Sequence, residues 1–496
     1  MATKKVVKKR VASAPIVRGK DLIKDVPLNV KANSEYYKYG VSVIEDRALV
    51  GSLDGLKPVT RRALWAVFGL GLHSRAKADK SAKAVGETLG NYHPHGDSAC
   101  YEAMVTAVHS PQPMLYGEGN WGTMVDNAAA MRYTNLRLSK YSDAVFFDKF
   151  YLPTITFVGN YDGSRKEPLN MPALLPNALI NGSFGIAPGV NTRTPCFTVP
   201  SITAVIREAL ANNGVCTAQM CMKLEFTTTY GGRLIRTKEN LAVVKEFYKT
   251  GVGNMQFAST STEPDKNNSI RFDQFAPIAK MDVTLERIES IKGVASVRDD
   301  SDKKDRYKTA YVVTFVKTLK GAALDVASKA VKKEMSASQR FDLKVTDRSI
   351  NEHEESSAKL RSTTVPELIT DWIKYRIELE KRACVYWVKK RVEEIAYLEL
   401  MRLAISKLDF IIACVKDKKL DDEALVKKIS SGLKITAEQT NQILARNLRQ
   451  LRHLEDEKLT AEIAELNKEK AGYEDRVKRP RAYITKSLDA LVAKIS

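Results

Sequence analysis

The stretch from Pro366 to Lys416 contains no glycine and no further proline, and it constrains the fold more than any other part of the sequence. Apolar side chains recur in it at spacings of three and four, the period of one face of an α-helix. The residues on this face are Leu368, Trp372, Tyr375 and Leu379, followed by Val388, Val392 and Ile395. The pattern predicts one long helix, or two helices joined end to end.

A second helical arm is predicted to begin near Glu455, with one apolar seam that only Lys470 interrupts. The seam residues are Leu459, Ile463, Leu466, Tyr473 and Val477. Two such arms around a small globular piece, about 417–454, are typical of an antiparallel coiled coil with a helical dimer gate at its tip. A plain helical hairpin packed on its own domain stays open as the alternative.

Size and charge indicate the kind of partner. The chain has 496 residues, 44% of them hydrophobic, which is enough for about two to four folded domains. Its formal net charge of +20 favours a polyanionic partner, and nucleic acid comes first. Composition alone leaves open an ordinary soluble protein with a charged surface.

The same composition bears on compartment and metals. Six scattered cysteines suit free thiols in a reducing compartment. No run of 18 or more apolar residues exists, and no apolar core follows the basic N-terminus, so neither a membrane helix nor a signal peptide is expected. We therefore expect a cytoplasmic, nucleoid-associated protein. Cys216 and Cys221 lack partners for a zinc set, and the acidic run 299–302 fits a solvated turn better than a metal site.

Changes of pattern divide the chain into four parts and predict an α+β multidomain fold. Residues 1–29 are predicted to be a disordered basic arm, because the first 20 hold seven Lys/Arg and no acid. Residues 30–155 have a helical pattern with Gly-rich breaks, residues 156–355 mix strands with helices, and residues 356–496 form the coiled coil and gate. The strongest strand patterns are 223–230, 253–260 and 309–316.

The dipeptide Arg132-Tyr133, in the run Ala-Ala-Ala-Met-Arg-Tyr-Thr, is the candidate catalytic pair. A free phenol loses its proton only near pH 10, so a tyrosine that attacks phosphorus needs a base or a nearby positive charge. An arginine stays charged and can donate two hydrogen bonds to phosphate oxygens. On a basic protein this pair indicates reversible DNA cutting, because a phosphotyrosine ester can reseal. Alone, the dipeptide is common.

Histidines and basic residues upstream supply a setting for that pair. His93 and His95 precede a helix predicted over 97–108 with Asp97 at its cap, and a helix N-terminus is a natural phosphate seat. The basic sets are Lys57, Arg61 and Arg62, then Lys77, Lys80 and Lys83. Of these residues, Lys57, Arg61 and Lys83 are predicted to bind DNA. A His-x-His pair with a tyrosine also occurs in metal-dependent nicking relaxases. Pro94 disfavours that alternative, because proline is poor in an interior strand.

The stretch 46–142 closely resembles the DNA-cleaving subunit of type II topoisomerases, the gyrase A and topoisomerase IV C subunit lineage. The matching runs are Arg47-Ala-Leu, Asp54-Gly-Leu-Lys-Pro-Val, Tyr92-His-Pro-His-Gly-Asp-Ser-Ala, Gly119-Asn-Trp-Gly and Ala128-Ala-Ala-Met-Arg-Tyr-Thr. The resemblance continues beyond this stretch in Asn160-Tyr-Asp-Gly-Ser and Ile180-Asn-Gly-Ser-Phe-Gly-Ile-Ala. The resemblance weakens in the middle, returns in Ile435-Thr-Ala-Glu-Gln, and covers roughly residues 30–480. It implies a winged-helix cleavage domain, an α/β tower, and a coiled coil with a dimer gate.

The resemblance also implies residue roles. Tyr133 would form the covalent link to a DNA 5′ phosphate with Arg132 beside it, and Ile186 would wedge between bases. The residues implied to hold the scissile phosphate or assist transfer are Arg47, Arg62, His93 and His95, and Lys57 matches a DNA-backbone contact. Ser98 and Glu102 match positions that line the fluoroquinolone site in bacterial enzymes.

Departures and absences refine the expectation. Thr60 replaces a usual histidine and Asn135 a usual glutamate, which leaves details of catalysis open. No DNA-wrapping β-pinwheel sequence follows the coiled coil, so the compact form resembles the medium subunit of bacteriophage topoisomerases, and active negative supercoiling is not expected. A catalytically inactive DNA-bridging dimer of the same fold is the alternative.

The sequence also shows no P-loop, and no Asp-x-Asp set in a βα context for the cleavage metal. ATP and Mg2+ are therefore expected on a gyrase B-like ATPase/TOPRIM partner. A homodimer of this chain would join that partner in a heterotetramer.

Overall fold

The computed structural model describes most of the chain between Pro27 and Ile495. The described ranges are 27–301, 309–350, 356–417, 420–445 and 456–495. The predicted basic arm lies almost entirely outside the described residues, as do Asp302 and part of the predicted globular piece at 417–454.

The N-terminal region packs helices around a small antiparallel sheet. Its helices are α1 (Leu28–Val43), α2 (Pro58–Gly69), α3 (Ser81–Asn91), α4 (Asp97–His109) and α5 (Lys140–Val145), with one π-helical turn, Ile44–Ala48, after α1. Its strands are β1 (Asp79–Lys80), β2 (Leu115–Glu118) and β3 (Asn135–Leu138), in the order β1-β3-β2. Pro58 suits the first position of α2, where no backbone N–H is needed. Helix α4 confirms the expected helix, but Gly96 is its cap and Asp97 its first residue.

The middle region alternates short strands with helices. A 3₁₀ turn, Leu152–Thr154, leads into it. Its first elements are β4 (Phe157–Gly159), β5 (Lys166–Pro168), α6 (Asn177–Ile180), β6 (Ser183–Ala187), β7 (Val190–Thr194), β8 (Cys196–Phe197), α7 (Val199–Ala211), α8 (Ala218–Cys221), β9 (Phe226–Thr227), β10 (Arg233–Leu234) and α9 (Lys238–Thr250). They are followed by β11 (Val252–Ala258), β12 (Thr260–Ser261), β13 (Ser269–Gln274), α10 (Met281–Glu289), β14 (Val294–Asp299), β15 (Tyr311–Phe315), α11 (Ala322–Glu334), β16 (Ser336–Asp342), β17 (Lys344–Ile350) and β18 (Ser356–Ser362).

Two larger sheets organise these strands. One has the order β10-β11-β16-β7-β6 and the other the order β12-β13-β15-β14. The strands expected at 253–260 and 309–316 are confirmed as β11 and β15. The strand expected over 223–230 is wrong in extent, because only Phe226 and Thr227 pair, with β8. The β-branched run that suggested a longer strand continues into a turn at Thr229 and Tyr230.

Separate hydrophobic cores divide the molecule. The main core joins the N-terminal helices to α7, α9 and the first turns of the long C-terminal helix, with Trp372 fully buried in it. A second core lies between β13, β15, α10 and α11, around Phe272, Tyr311 and Phe315. The outer half of the middle region is therefore a unit with an interior of its own, and the rest of that region packs on the N-terminal part.

The glycine-free stretch forms two helices in sequence, α12 (Val365–Ser406) and α13 (Leu408–Lys416). Thr364 and Glu367 form a capping box at the start of α12, which satisfies backbone N–H groups that a helix start leaves free. Lys407 has non-helical backbone angles and separates the two helices. The expectation of two helices joined end to end is therefore confirmed.

The second arm runs antiparallel to α12. The tip helices are α14 (Asp422–Leu433) and α15 (Ala437–Leu444), the arm is α16 (Asp456–Lys478), and α17 (Pro480–Ile495) follows it. Ion pairs show the antiparallel direction of the two helices, because residues progressively later in α12 pair with residues progressively earlier in α16. These pairs are Glu380–Arg476, Arg391–Glu469 and Arg402–Asp456. A third core at the tip contains Ile411, Ile429 and Ile443.

Candidate active site

Tyr133 lies in an exposed turn directly before β3. Its side chain is 64% exposed, and its backbone N–H donates to the carbonyl of Ala130 at 2.8 Å. The guanidinium carbon of Arg132 lies 4.7 Å from the centroid of the tyrosine ring, a cation–π distance. The predicted nucleophile and its predicted phosphate clamp are therefore side by side and open to an approaching ligand.

The turn is fixed from behind by Thr134, which is fully buried. The hydroxyl of Thr134 donates to Ser81 Oγ at 2.8 Å, and the Ser81 N–H donates to the Thr134 carbonyl at 3.0 Å. The Tyr101 hydroxyl donates to the Ala129 carbonyl at 2.7 Å and lies 2.9 Å from Thr134 Oγ1. Helices α3 and α4 thus hold both sides of the turn, so an exposed side chain has a well-defined backbone beneath it.

A second set of predicted residues lines a cavity of about 1400 Å³ between the N-terminal helices, hairpin β6–β7 and the outer strands of the middle region. The predicted site residues on its wall are Arg47, Lys57, Arg62, His93, His95 and Glu102. Arg132 and Tyr133 are not on this wall. Within one chain, the structure therefore brings the basic and histidine residues together but does not join them to the tyrosine.

Arg62 is held by an acid that the sequence did not single out. Its Nε and Nη2 atoms each donate to the Glu167 carboxylate at 2.8 Å. Its remaining nitrogen, Nη1, lies 3.1 Å from Nδ1 of His93. An arginine can only donate, so Nδ1 accepts and the proton of a neutral imidazole is assigned to Nε2. Glu167, Arg62 and His93 therefore form a connected chain at the cavity wall.

His93 is kept uncharged by its surroundings. Burial, followed by the nearby charges of Arg62, His95 and Arg47, lowers the pKa of His93 to about 4. The His95 ring meets it edge to face, with centroids 4.5 Å apart. Both histidines lie in the loop between α3 and α4, not on a strand. Near neutral pH, His93 therefore offers a hydrogen-bond donor without a charge.

Arg47 is exposed on the π-helical turn, and two long-range contacts shape that turn. Arg348, on β17, donates from Nη2 to the Glu45 carbonyl at 2.5 Å. Strand β6 approaches so closely that a side chain at Gly185 would meet the Ala48 carbonyl, since a Cβ there would lie 1.9 Å from its oxygen. Only glycine fits at this crossing, which joins the turn to hairpin β6–β7.

Hairpin β6–β7 carries the predicted wedge. Ile186 is 65% exposed and pairs with Asn191 across the hairpin. Lys57 donates from Nζ to the Phe184 carbonyl at 2.6 Å, and burial lowers the pKa of Lys57. Lys57 therefore ties α2 to the strand that carries Ile186, while the Ile186 side chain itself extends into solvent.

The other predicted residues lie in different settings. Arg61 is buried and makes a bidentate ion pair with Asp54, with Nε–Oδ2 at 2.6 Å. The predicted contact of Arg61 with DNA is not supported, because its guanidinium is taken up inside the fold. Lys83 is exposed on α3 and pairs with Asp79 at 2.8 Å. Ser98 is exposed in the first turn of α4, where its N–H donates to Asp97.

Metal ligands do not cluster in the part of the chain that the structure describes. No group of three or more His, Cys, Asp or Glu side chains there could hold a metal ion. No helix within the described ranges is long and apolar enough to span a bilayer.

Comparison with known proteins identifies the family of the chain. Residues 47–489 match the family described as the A subunit of DNA gyrase/topoisomerase IV. The chain therefore belongs to the family of DNA gyrase/topoisomerase IV A subunits. The resemblance drawn from its motifs is confirmed at this level, and the likeness to bacteriophage subunits stays a prediction.

Curated relatives extend across most of the chain. It is 30% identical to the A subunit of DNA topoisomerase 4 from Pseudomonas aeruginosa, over 88% of this chain and 56% of the relative. It is 31% identical to the DNA gyrase A subunit of Synechocystis (94% and 54%) and 30% identical to the DNA topoisomerase 4 A subunit of Escherichia coli (91% and 59%). The chain thus spans less than 60% of the length of these relatives.

Proposed function

We propose that this chain is the DNA-breakage-reunion subunit of a type II topoisomerase. It makes a transient double-strand break through 5′-phosphotyrosine links, lets a second duplex pass, and reseals the break. The observation that carries this proposal is the exposed Tyr133 with the Arg132 guanidinium 4.7 Å from its ring, on a turn anchored by α3 and α4. The family assignment supports the same function.

The proposed chemistry is an exchange of esters. The Tyr133 oxygen attacks a backbone phosphorus, a P–O bond to tyrosine forms, and the bond from phosphorus to the 3′ oxygen breaks. The phenolic proton leaves, and the released 3′ oxygen takes one up, so no net proton is consumed. Resealing is the reverse, with the 3′ hydroxyl as nucleophile. Arg132 holds a phosphate oxygen, and preorganised charge of this kind stabilises the charge that develops on phosphorus.

The cavity residues are proposed to hold the phosphate that is cut. Arg47, Arg62 and Lys57 supply positive charge, and His93 supplies an uncharged donor. Since Tyr133 does not line this cavity, we propose that a second copy of the chain brings its tyrosine to it. The antiparallel arms and their tip, where Phe410 and Val415 are partly exposed, fit a gate through which two copies associate. Two copies give one tyrosine for each DNA strand.

A partner subunit is proposed to supply the metal site and the ATPase activity. The described residues offer no ligand set for a metal, so the residues present do not fit the Mg2+ that cleavage by this family implies. We therefore assign Mg2+ to an ATPase/TOPRIM subunit, in a heterotetramer with a dimer of this chain. ATP is assigned to the same subunit because the sequence of this chain shows no P-loop. The complex would relax or decatenate DNA during replication on the cytoplasmic nucleoid.

The test is covalent capture of DNA by the complex with its ATPase partner. Wild-type protein is expected to form a protein–DNA adduct with a 5′ end and to change plasmid linking number in steps of two. Tyr133→Phe is expected to form no adduct, because the attacking oxygen is lost, while noncovalent DNA affinity stays the same. Tyr116→Phe is a matched control, because Tyr116 is also exposed and lies 4.4 Å beneath an arginine, Arg137.

The outcomes separate the competing functions. Adducts that persist in Tyr133→Phe would reject Tyr133 as nucleophile. No adduct in the wild-type complex, with tight DNA binding, would favour the inactive DNA-bridging dimer. Linking-number steps of one would favour a single-strand nicking enzyme.

A further inference from the structure

Glu167, on β5, is a buried carboxylate that the proposed chemistry does not use. It is 8% exposed, and carboxylates are rarely so buried unless they are paired. Glu167 is not on the wall of the basic cavity, whereas Arg62 and His93 are. Arg62 contacts Glu167 on one side and His93 on the other. Glu167 therefore lies behind two residues of the proposed phosphate site.

The pairing fixes the plane of the Arg62 guanidinium. Two nitrogens of Arg62 meet both oxygens of Glu167, and a planar guanidinium held at two points cannot rotate freely. The third nitrogen, Nη1, is then held 3.1 Å from Nδ1 of His93, to which it donates one of its two N–H groups. The carboxylate also offsets part of the arginine charge, so Glu167 affects both the geometry and the attraction that Arg62 offers to a phosphate.

The hairpin that carries Glu167 also holds the chain leading to His93. Asn160, in the turn between β4 and β5, donates from Nδ2 to the Asn91 carbonyl at 2.7 Å. Tyr161 donates from its hydroxyl to the Gly90 carbonyl at 2.9 Å. These carbonyls lie at the end of α3, two and three residues before His93. One short hairpin therefore clamps the loop of His93 and orients the arginine that bonds to it.

Resting on the proposed function, we propose that Glu167 is a positioning residue for strand cleavage. It orients Arg62, and through Arg62 it orients His93, so that both meet the scissile phosphate in one geometry. It does not touch DNA itself. Misplacing phosphate-binding groups by about 1 Å can lower a rate by about 100-fold, so losing this support has a measurable effect.

The test uses single-turnover DNA cleavage by the complex with its ATPase partner. Glu167→Gln keeps the shape but removes the charge, and we expect cleavage to slow by about 10- to 100-fold. Noncovalent DNA affinity should stay equal or rise, because the site loses one negative charge. Glu167→Asp should recover part of the rate. Glu87→Gln is the control. Glu87 lies on α3 and forms an ion pair with Arg165 of the same hairpin, but it does not contact Arg62.

A double-mutant cycle with Arg62→Gln tells positioning from mere structural support. If Glu167 acts through Arg62, adding Glu167→Gln to Arg62→Gln slows cleavage no further. Additive losses, or a loss that matches the unfolded fraction measured by thermal denaturation, would overturn the proposal. So would an unchanged rate in Glu167→Gln when wild type forms adducts. Failure of wild type to form any adduct would instead reject the proposed function.

Discussion

The buried hydroxyl of Thr134 donates to Ser81 Oγ at 2.8 Å, one residue beyond the exposed Tyr133. This hydrogen bond joins the turn of the predicted nucleophile to the first residue of α3. The turn therefore owes its position to a polar contact inside the fold, whereas the tyrosine side chain is mostly exposed and contacts the guanidinium of Arg132. Changes at this contact should alter the placement of Tyr133 without touching DNA.

Thr134→Val tests that dependence. Valine keeps the shape but leaves Ser81 Oγ without its partner, and an unsatisfied buried hydroxyl is expected to lower the free energy of unfolding by about 1–3 kcal/mol. Adduct formation should fall in the folded protein, while DNA affinity stays within the error of the wild-type value. Thr203→Val is the control, because the Thr203 hydroxyl is buried in α7 and bonds only backbone carbonyls. Equal adduct yields from both variants would contradict the prediction.

The pH dependence of stability should report on His93. Because the pKa of His93 is lowered to about 4 in the folded protein, the unfolded chain binds a proton there first as pH falls below about 6.5. The free energy of unfolding should therefore decrease between pH 6.5 and pH 4, and His93→Gln should decrease less steeply. Chemical denaturation of both proteins at several pH values measures the difference. Parallel curves would show that His93 takes up a proton equally well in the folded state.

Glu380 should be a sensitive position in the coiled coil. It is buried and accepts hydrogen bonds from Tyr151 (2.7 Å), Arg376 (3.0 Å) and Arg476 (2.7 Å), so it joins both arms to the segment after α5. Burial would raise the pKa of Glu380, but the two arginines outweigh it and hold the pKa below its ordinary value. Its stabilising effect is thus present near neutral pH and is lost in acid.

Glu380→Gln is expected to lower the free energy of unfolding by about 3–5 kcal/mol, because it leaves the buried Arg376 without a counter-charge. Denaturant unfolding measures the loss. Glu393→Gln is the control, since Glu393 forms an exposed pair with Lys390 on the same helix and should change stability little. A similar loss in both variants would indicate a general effect of charge on the helix.

Two neighbouring arginines show which features of the site could be predicted from the sequence. The basic pattern placed Arg61 and Arg62 in one set, and only the family resemblance gave Arg62 a role at the scissile phosphate. On a helix, successive side chains point about 100° apart. Arg61 therefore turns inward to Asp54, and Arg62 turns to the cavity. Which of them faces inward depends on how α2 packs, a tertiary property that periodicity in a short helix does not fix.

The partner of Arg62 could not be predicted from the sequence either. Glu167 lies 105 residues later in a short strand, in no chemical motif, and only the folded hairpin brings it to Arg62. By contrast, the long helices follow from local periodicity and from the absence of helix breakers. The Arg132-Tyr133 pair was recognisable because the two residues are adjacent in the chain, so their proximity needs no fold.

Ile186→Ala should separate DNA bending from DNA binding. Ile186 is exposed at the end of β6 and supports no core, so its truncation should change the free energy of unfolding by less than about 0.5 kcal/mol. An apolar side chain that enters a base step promotes a kink, so the variant should bend DNA less and cleave it more slowly. Fluorescence energy transfer between the ends of a labelled duplex measures the bend. Val326→Ala, at an equally exposed apolar residue on α11, should leave bend and cleavage unchanged, and an unchanged bend in Ile186→Ala would reject the wedge.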